Sequence, residues 1–319
     1  MAFSFGSSAK PRRLLWAVVA VVITGLLVGG FFGYRAYRDW ANTRRQITAY
    51  INTNVAEYNR TSTPAKILVE ELNLLVEFDP ENTADTTQRI AEIRRKITEI
   101  EELNQQIDAS REAIEPGEIE PTQNLSRSLQ DTLSTKRFTL ESLNGFLVYQ
   151  ICLIENATEQ SINLEEFTTQ ITNFSEAEGV SVEDRNGFIQ TANAEIRINL
   201  ELLTQFDGCF EGEYANFLTT ELRAVRERDE RLYLSYSEAL EDLGAGLSAN
   251  NSEQVLRATN ELVALSEQEF SLFSSEEIKD AVAEPTTKIQ LQADVLEREE
   301  ARLQDQLNQL KAEYLLESI

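Results

Sequence analysis

Residue types that do chemistry are scarce in this chain. Among its 319 residues there is no histidine. That excludes Ser-His-Asp and Cys-His catalysis, histidine-bound zinc hydrolysis and the Glu-x-x-His pairs of di-iron bundles. The two cysteines, Cys152 and Cys209, are too few for a cysteine-based zinc or iron–sulfur centre. Neither a phosphate-binding glycine loop nor an EF-hand spacing occurs. Carboxylates are abundant, 54 Asp and Glu against 29 Lys and Arg, but on amphipathic helices they are expected as a solvated face and not as a catalytic pair. The acidic clusters Asp79, Glu81, Asp85 and Glu115, Glu118, Glu120 could attract calcium. Neither has the ligand spacing of a defined site, so solvated loops are the expectation. We therefore expect no enzyme, no metal and no cofactor.

The chemistry that remains is covalent and structural. Cys152 lies in a dense apolar run and Cys209 in a turn. A disulfide between them would close a long loop and add about 3 to 4 kcal/mol by the loop-entropy model, and it requires an oxidising compartment. The competing reading is one buried reduced thiol and one exposed thiol; we expect the bridge. Five Asn-x-Ser/Thr sequons, at Asn59, Asn124, Asn156, Asn173 and Asn250, point weakly to the same compartment, since several would arise by chance in a chain this rich in Asn, Ser and Thr.

These residues are held relative to one stretch, Leu14 to Gly33, LLWAVVAVVITGLLVGGFFG, which has no charge in 20 positions. At about 1.5 Å per residue it reaches roughly 30 Å, the thickness of a bilayer's hydrocarbon core. It reads as a transmembrane anchor. The apolar run is longer than the usual core of a signal peptide, and no convincing cleavage site follows before Tyr34, so the anchor is expected to be uncleaved. Trp16 at one end and Phe31, Phe32, Tyr34, Tyr37 and Trp40 at the other suit interfacial aromatic belts. Gly25, Gly29 and Gly33 recur every fourth residue on one helix face, a spacing that lets two membrane helices approach closely; the bland alternative is that glycine is simply common in such helices.

Charge is divided around the anchor. The first 45 residues carry Lys10, Arg12, Arg13, Arg35, Arg38, Arg44 and Arg45 against Asp39 alone, which leaves −31 of the total of −25 for the remainder. Basic flanks suit anionic headgroups, whereas an acidic body repels nucleic acid. Three basic residues precede the span and four follow it, so the positive-inside rule gives nearly a tie.

Beyond the anchor the composition is helical, with a proline-free run between Pro121 and Pro285. The pattern predicts an all-α fold: the single transmembrane helix, then an elongated antiparallel helical bundle with coiled-coil-like segments. Residues 1–13 form a short basic tail, 14–33 the anchor, 34–60 a helical stem and 61–319 an acidic bundle. The stem is expected to stop at Thr61–Pro64, with Thr63 capping a helix from Pro64 to Phe78. A helix from Ala84 to Glu115 places Ile90, Ile93, Ile97, Ile100 and Ile107 on a seam with Asn104 between the last two; a slight rotation would bury Leu103 instead. After a loop through Pro121, a long helix reaches about Ala177, with the deepest core expected at Phe146, Leu147, Val148, Ile151, Leu153 and Ile154. Gly179 and a Ser181–Asp184 capping box then lead into a helix through Phe206. A helix from Glu213 to Leu243, a loop from Gly244, a helix capped by Asn251 and a break at Ser274 follow. A last helix after Pro285 carries Ile289, Ala293, Leu296, Leu303, Leu307, Leu310 and Tyr314, interrupted by Glu300.

The function expected from this pattern is that of a membrane-anchored extracytoplasmic scaffold or protein-interaction module of the cell envelope, with its N-terminus in the cytosol. Its partners would be the membrane, other envelope or surface proteins and further copies of itself through the glycine face, and not nucleic acid. Two alternatives are an extracytoplasmic sensor or ligand-binding bundle, and a cytosolic membrane-tethered coiled-coil organiser with reversed topology, which the four arginines after the anchor would suit.

Overall fold

The computed structural model describes residues 10–70, 83–176, 182–268, 270 and 275–316. Among these residues there are seven α-helices and no strand: α1 (Lys10–Glu70), α2 (Thr83–Ala113), α3 (Glu120–Glu176), α4 (Val182–Gly208), α5 (Thr220–Ser248), α6 (Ser252–Ser266) and α7 (Ser275–Glu313), with a 3₁₀ turn at Gly212–Phe217 between α4 and α5. The all-α architecture, with a long apolar N-terminal helix, is the one expected from the composition.

Several boundaries differ from the sequence pattern. The stem does not stop at Thr61–Pro64: α1 runs on to Glu70, because one proline removes one helical hydrogen bond while Ala65, Lys66 and Leu68 around it remain good helix formers. The expected helix end at Phe78, and Gly179, Ser181 and Ser274, lie outside the described residues. α5 begins at Thr220 and not at Glu213; Thr219 caps it by accepting the Leu222 N–H at 3.1 Å. It also continues through Gly244 and Gly246 to Ser248. A Cβ on Gly246 would lie 3.0 Å from the Val255 nitrogen, so the glycine sits in the helix to admit α6. The Asn251 cap is present, accepting the Gln254 N–H at 3.2 Å. α7 runs through Pro285 instead of starting after it.

The chain divides into two compact units. The first comprises Met1–Arg60, Glu112–Asp131 and Ala301–Ile319. Its buried apolar side chains come from all three segments, Ile47 and Ile51, Leu125 and Leu129, Leu303 and Leu307. The α2–α3 loop is clamped to α1 in this unit. The Tyr50 hydroxyl donates to the Glu115 carbonyl at 2.7 Å, and Asn54 Oδ1 accepts the Glu115 N–H at 2.9 Å while its Nδ2 donates to the Tyr50 carbonyl. Ser126 also donates to the Glu115 carbonyl, at 3.2 Å. At the far end of the chain, Arg44 donates to the Leu315 carbonyl at 2.8 Å and lies over the Trp40 ring.

The second unit comprises Thr61–Arg111 and Thr132–Glu300. α5 packs against both α4 and α6 in it. On α3, Phe146, Leu147, Leu153 and Ile154 are buried as expected, but Val148 is 53% exposed and Ile151 only half-buried. On α2, Leu103 is buried beside Ile93, Ile100 and Ile107, and Asn104 is half-buried. The helix has therefore taken the rotated register, with Leu103 in the buried place.

Candidate functional site

The apolar segment of α1 is the most exposed hydrophobic surface among the described residues. Val21, Leu26 and Leu27 are each about 70% exposed, and Phe31, Phe32, Tyr34 and Tyr37 more than 60%. A helix in water would bury such a face, so this one is suited to a non-aqueous surrounding. A Cβ on Gly25, Gly29 or Gly33 would meet nothing within 4 Å, so the glycine face is open along its length. The Tyr37 and Trp40 rings lie 6.2 Å apart at the polar end of this segment, while the Trp16 side chain lies outside those described. Arg35, Arg38 and Arg45 are exposed beside them.

The second candidate, the cysteine pair, lies in the other unit. Cys152 on α3 and Cys209 just past α4 are joined by a disulfide with Cα atoms 5.8 Å apart. Asn156, one turn beyond Cys152, donates to its carbonyl at 2.8 Å and places its amide nitrogen 3.6 Å from Cys209 Sγ. An aromatic cluster begins at Phe210, next to Cys209 in the chain: Phe210 meets Phe206 and Tyr149 edge-on, and Tyr149 stacks on Tyr214 at 4.7 Å. The Tyr149 hydroxyl donates to the Ala281 carbonyl at 3.0 Å. Ala281 is four residues before Pro285, which has no N–H to offer that carbonyl. A side chain from α3 thus satisfies the acceptor that a proline in α7 leaves over. Burial, with Tyr214 nearby, raises the Tyr149 pKa above the ordinary tyrosine range. A recess of about 10 Å³, room for about one water molecule, lies alongside, lined among others by Ser142, Tyr214, Phe217 and Lys288. It is smaller than the clefts that hold drug-sized ligands.

Charge is also buried in this unit. Lys136 is 0% exposed, and its Nζ lies 3.0 Å from Glu300 Oε1. Burial lowers the Lys136 pKa and Glu300 partly restores it. The break in the α7 seam at Glu300 is thus the acidic half of a pair whose basic half is inside the bundle. Asp229 is likewise 0% exposed and paired with Arg228 at 2.9 Å. Nearby, Tyr233 accepts from Gln160 at 3.1 Å and stacks on Phe270.

Sequence reasoning singled out the cysteines and the glycine face but passed over Lys136, Asp229, Tyr149 and Asn54. A signal existed for two of them: Glu300 inside a leucine seam demands a cation opposite, and Pro285 inside a helix demands a donor for residue 281. Among the described residues, no group of three or more His, Cys, Asp or Glu is placed to hold a metal ion. The acidic loop residues Glu115, Glu118 and Glu120 are therefore no such group, while the side chains of Asp79, Glu81 and Asp85 lie outside those described. No family model, curated protein or solved structure matches this chain.

Proposed function

We propose that this chain is a single-pass membrane-anchored helical scaffold of the cell envelope, with its N-terminus cytosolic, its acidic bundle outside the cytoplasm, and no catalytic role. The observation that carries the reading is the apolar segment of α1, which has no charged residue from Leu14 to Gly33 and whose described apolar stretch is 0% buried by the rest of the protein. The Cys152–Cys209 bridge supports the extracytoplasmic side, because such bonds persist in oxidising compartments. A scaffold presents helix faces to partner proteins and needs no special residues to do so. The net charge of −25 disfavours nucleic acid as a partner. Further copies of the chain would associate through Gly25, Gly29 and Gly33 in the bilayer.

Protease treatment of intact cells, with both thiols assayed on the same material, tests the topology. Digestion of the bundle together with blocked thiols is the expected outcome. Protection with two free thiols would instead establish the reversed reading, a cytosolic membrane-tethered organiser, which the exposed Arg35, Arg38 and Arg45 after the span favour.

A further inference from the structure

We infer that Asn250 is the N-glycan acceptor of the folded protein, a role that rests on the extracytoplasmic placement of the bundle. Four of the five sequons lie inside helices: Asn59 in α1, and Asn124, Asn156 and Asn173 in α3. Residues two apart on a helix do not face each other. The asparagine amide and the hydroxyl two positions on therefore cannot be presented together to a transferase there. Burial removes three of these sequons independently. Asn156 is 7% exposed, with its amide nitrogen committed to the Cys152 carbonyl and lying against the disulfide. Thr61, the hydroxyl residue for Asn59, is 0% exposed. Ser126, the hydroxyl residue for Asn124, is 7% exposed and donates to the Glu115 carbonyl.

The fifth sequon is built differently. Asn250 is in the turn between α5 and α6 with φ +55°, a left-handed conformation that asparagine tolerates well. Asn250 and Ser252 are both exposed. The α6 cap is supplied by Asn251 between them, so neither sequon residue is needed to hold the turn. The substrate class is a lipid-phosphate-linked oligosaccharide. The Asn250 amide nitrogen bonds to the anomeric carbon of the sugar, the bond from that carbon to the phosphate oxygen breaks, the lipid phosphate leaves with the electron pair, and the amide releases one proton.

The test is glycopeptide mass spectrometry covering all five sequons of the full-length protein from its native membranes, run beside the protease and thiol assays on intact cells. The expected result is a glycan on the Asn250 peptide and an unmodified Asn156 peptide, with the gel-mobility shift lost in both Asn250→Gln and Ser252→Ala. An externally accessible bundle with bare Asn250, or with a glycan on Asn156, would overturn the inference and leave the topology standing. A protected bundle with free thiols would overturn both.

Discussion

At the scale of single residues, buried polar groups are the features with measurable consequences. Tyr149→Phe keeps the ring against Phe210 and Tyr214 but leaves the Ala281 carbonyl without its donor. It should cost about 1 to 3 kcal/mol, read as a lower urea midpoint at unchanged m. Lys136 and the buried tyrosines set opposing pH dependences. Because burial lowers the Lys136 pKa, the unfolded chain holds that proton more tightly, and stability rises as pH approaches lysine's ordinary value of about 10.4. Burial raises the Tyr236 pKa to about 12. Above pH of about 10 the unfolded chain therefore loses that proton first and stability falls until the folded value is passed. Urea midpoints followed against pH should show Lys136→Met abolishing the rise and Tyr236→Phe making the alkaline fall shallower. Glu300→Gln, which takes the carboxylate from a lysine that stays buried, should destabilise by about 3 kcal/mol at neutral pH.

At the scale of elements, a few side chains within helices decide how neighbouring elements meet. The α2–α3 loop is held to α1 through the Glu115 backbone, and Asn54 serves both the loop and its own helix. Asn54→Ala should leave the part-buried Glu115 N–H without its partner, at about 0.5 to 1.5 kcal/mol, with faster hydrogen exchange at that amide as the specific readout. Gly117 next to it is required by close approach, since a Cβ there would lie 2.1 Å from the Thr122 backbone. The glycine face of α1 makes a different prediction. Gly29→Ile fills a face that is open in the single chain, so folding should be unchanged while crosslinked dimers in membranes are lost; the same oligomeric state in the variant would exclude association through that face.

At the scale of the whole molecule, one covalent bond and one charge imbalance matter most. The disulfide closes a separation of 57 residues within the second unit. Its replacement by two serines should lower stability by about 3 to 4 kcal/mol, measured by chemical denaturation of the full chain in detergent. A fall much smaller than this would mean that the α3, α4 and 3₁₀ segments hold together by their aromatic packing alone. The charge imbalance sets the long-range field of the molecule: residues 46–319 are strongly acidic, whereas the apolar segment of α1 is flanked by basic residues.

The all-α class, the long apolar N-terminal helix and most of the helix count were legible from hydrophobic period, proline spacing and length, because each is a property of contiguous residues. The apolar positions of α2 and α7 were legible for the same reason, down to the break at Glu300. Tertiary structure decided what depends on residues far apart in the chain. Pro285 reads locally as a helix start, yet Tyr149, more than a hundred residues earlier, supplies the hydrogen bond that lets α7 run through it. Gly244 and Gly246 read as a loop, yet α5 runs through both, and at Gly246 the absent side chain leaves room for α6. Nothing local marks Lys136 for burial, yet it is 0% exposed and pairs with Glu300 of α7. Periodicity records which face of an element is apolar; which partner covers that face, and which polar group is trapped beneath it, is settled only when distant segments compete for the same volume.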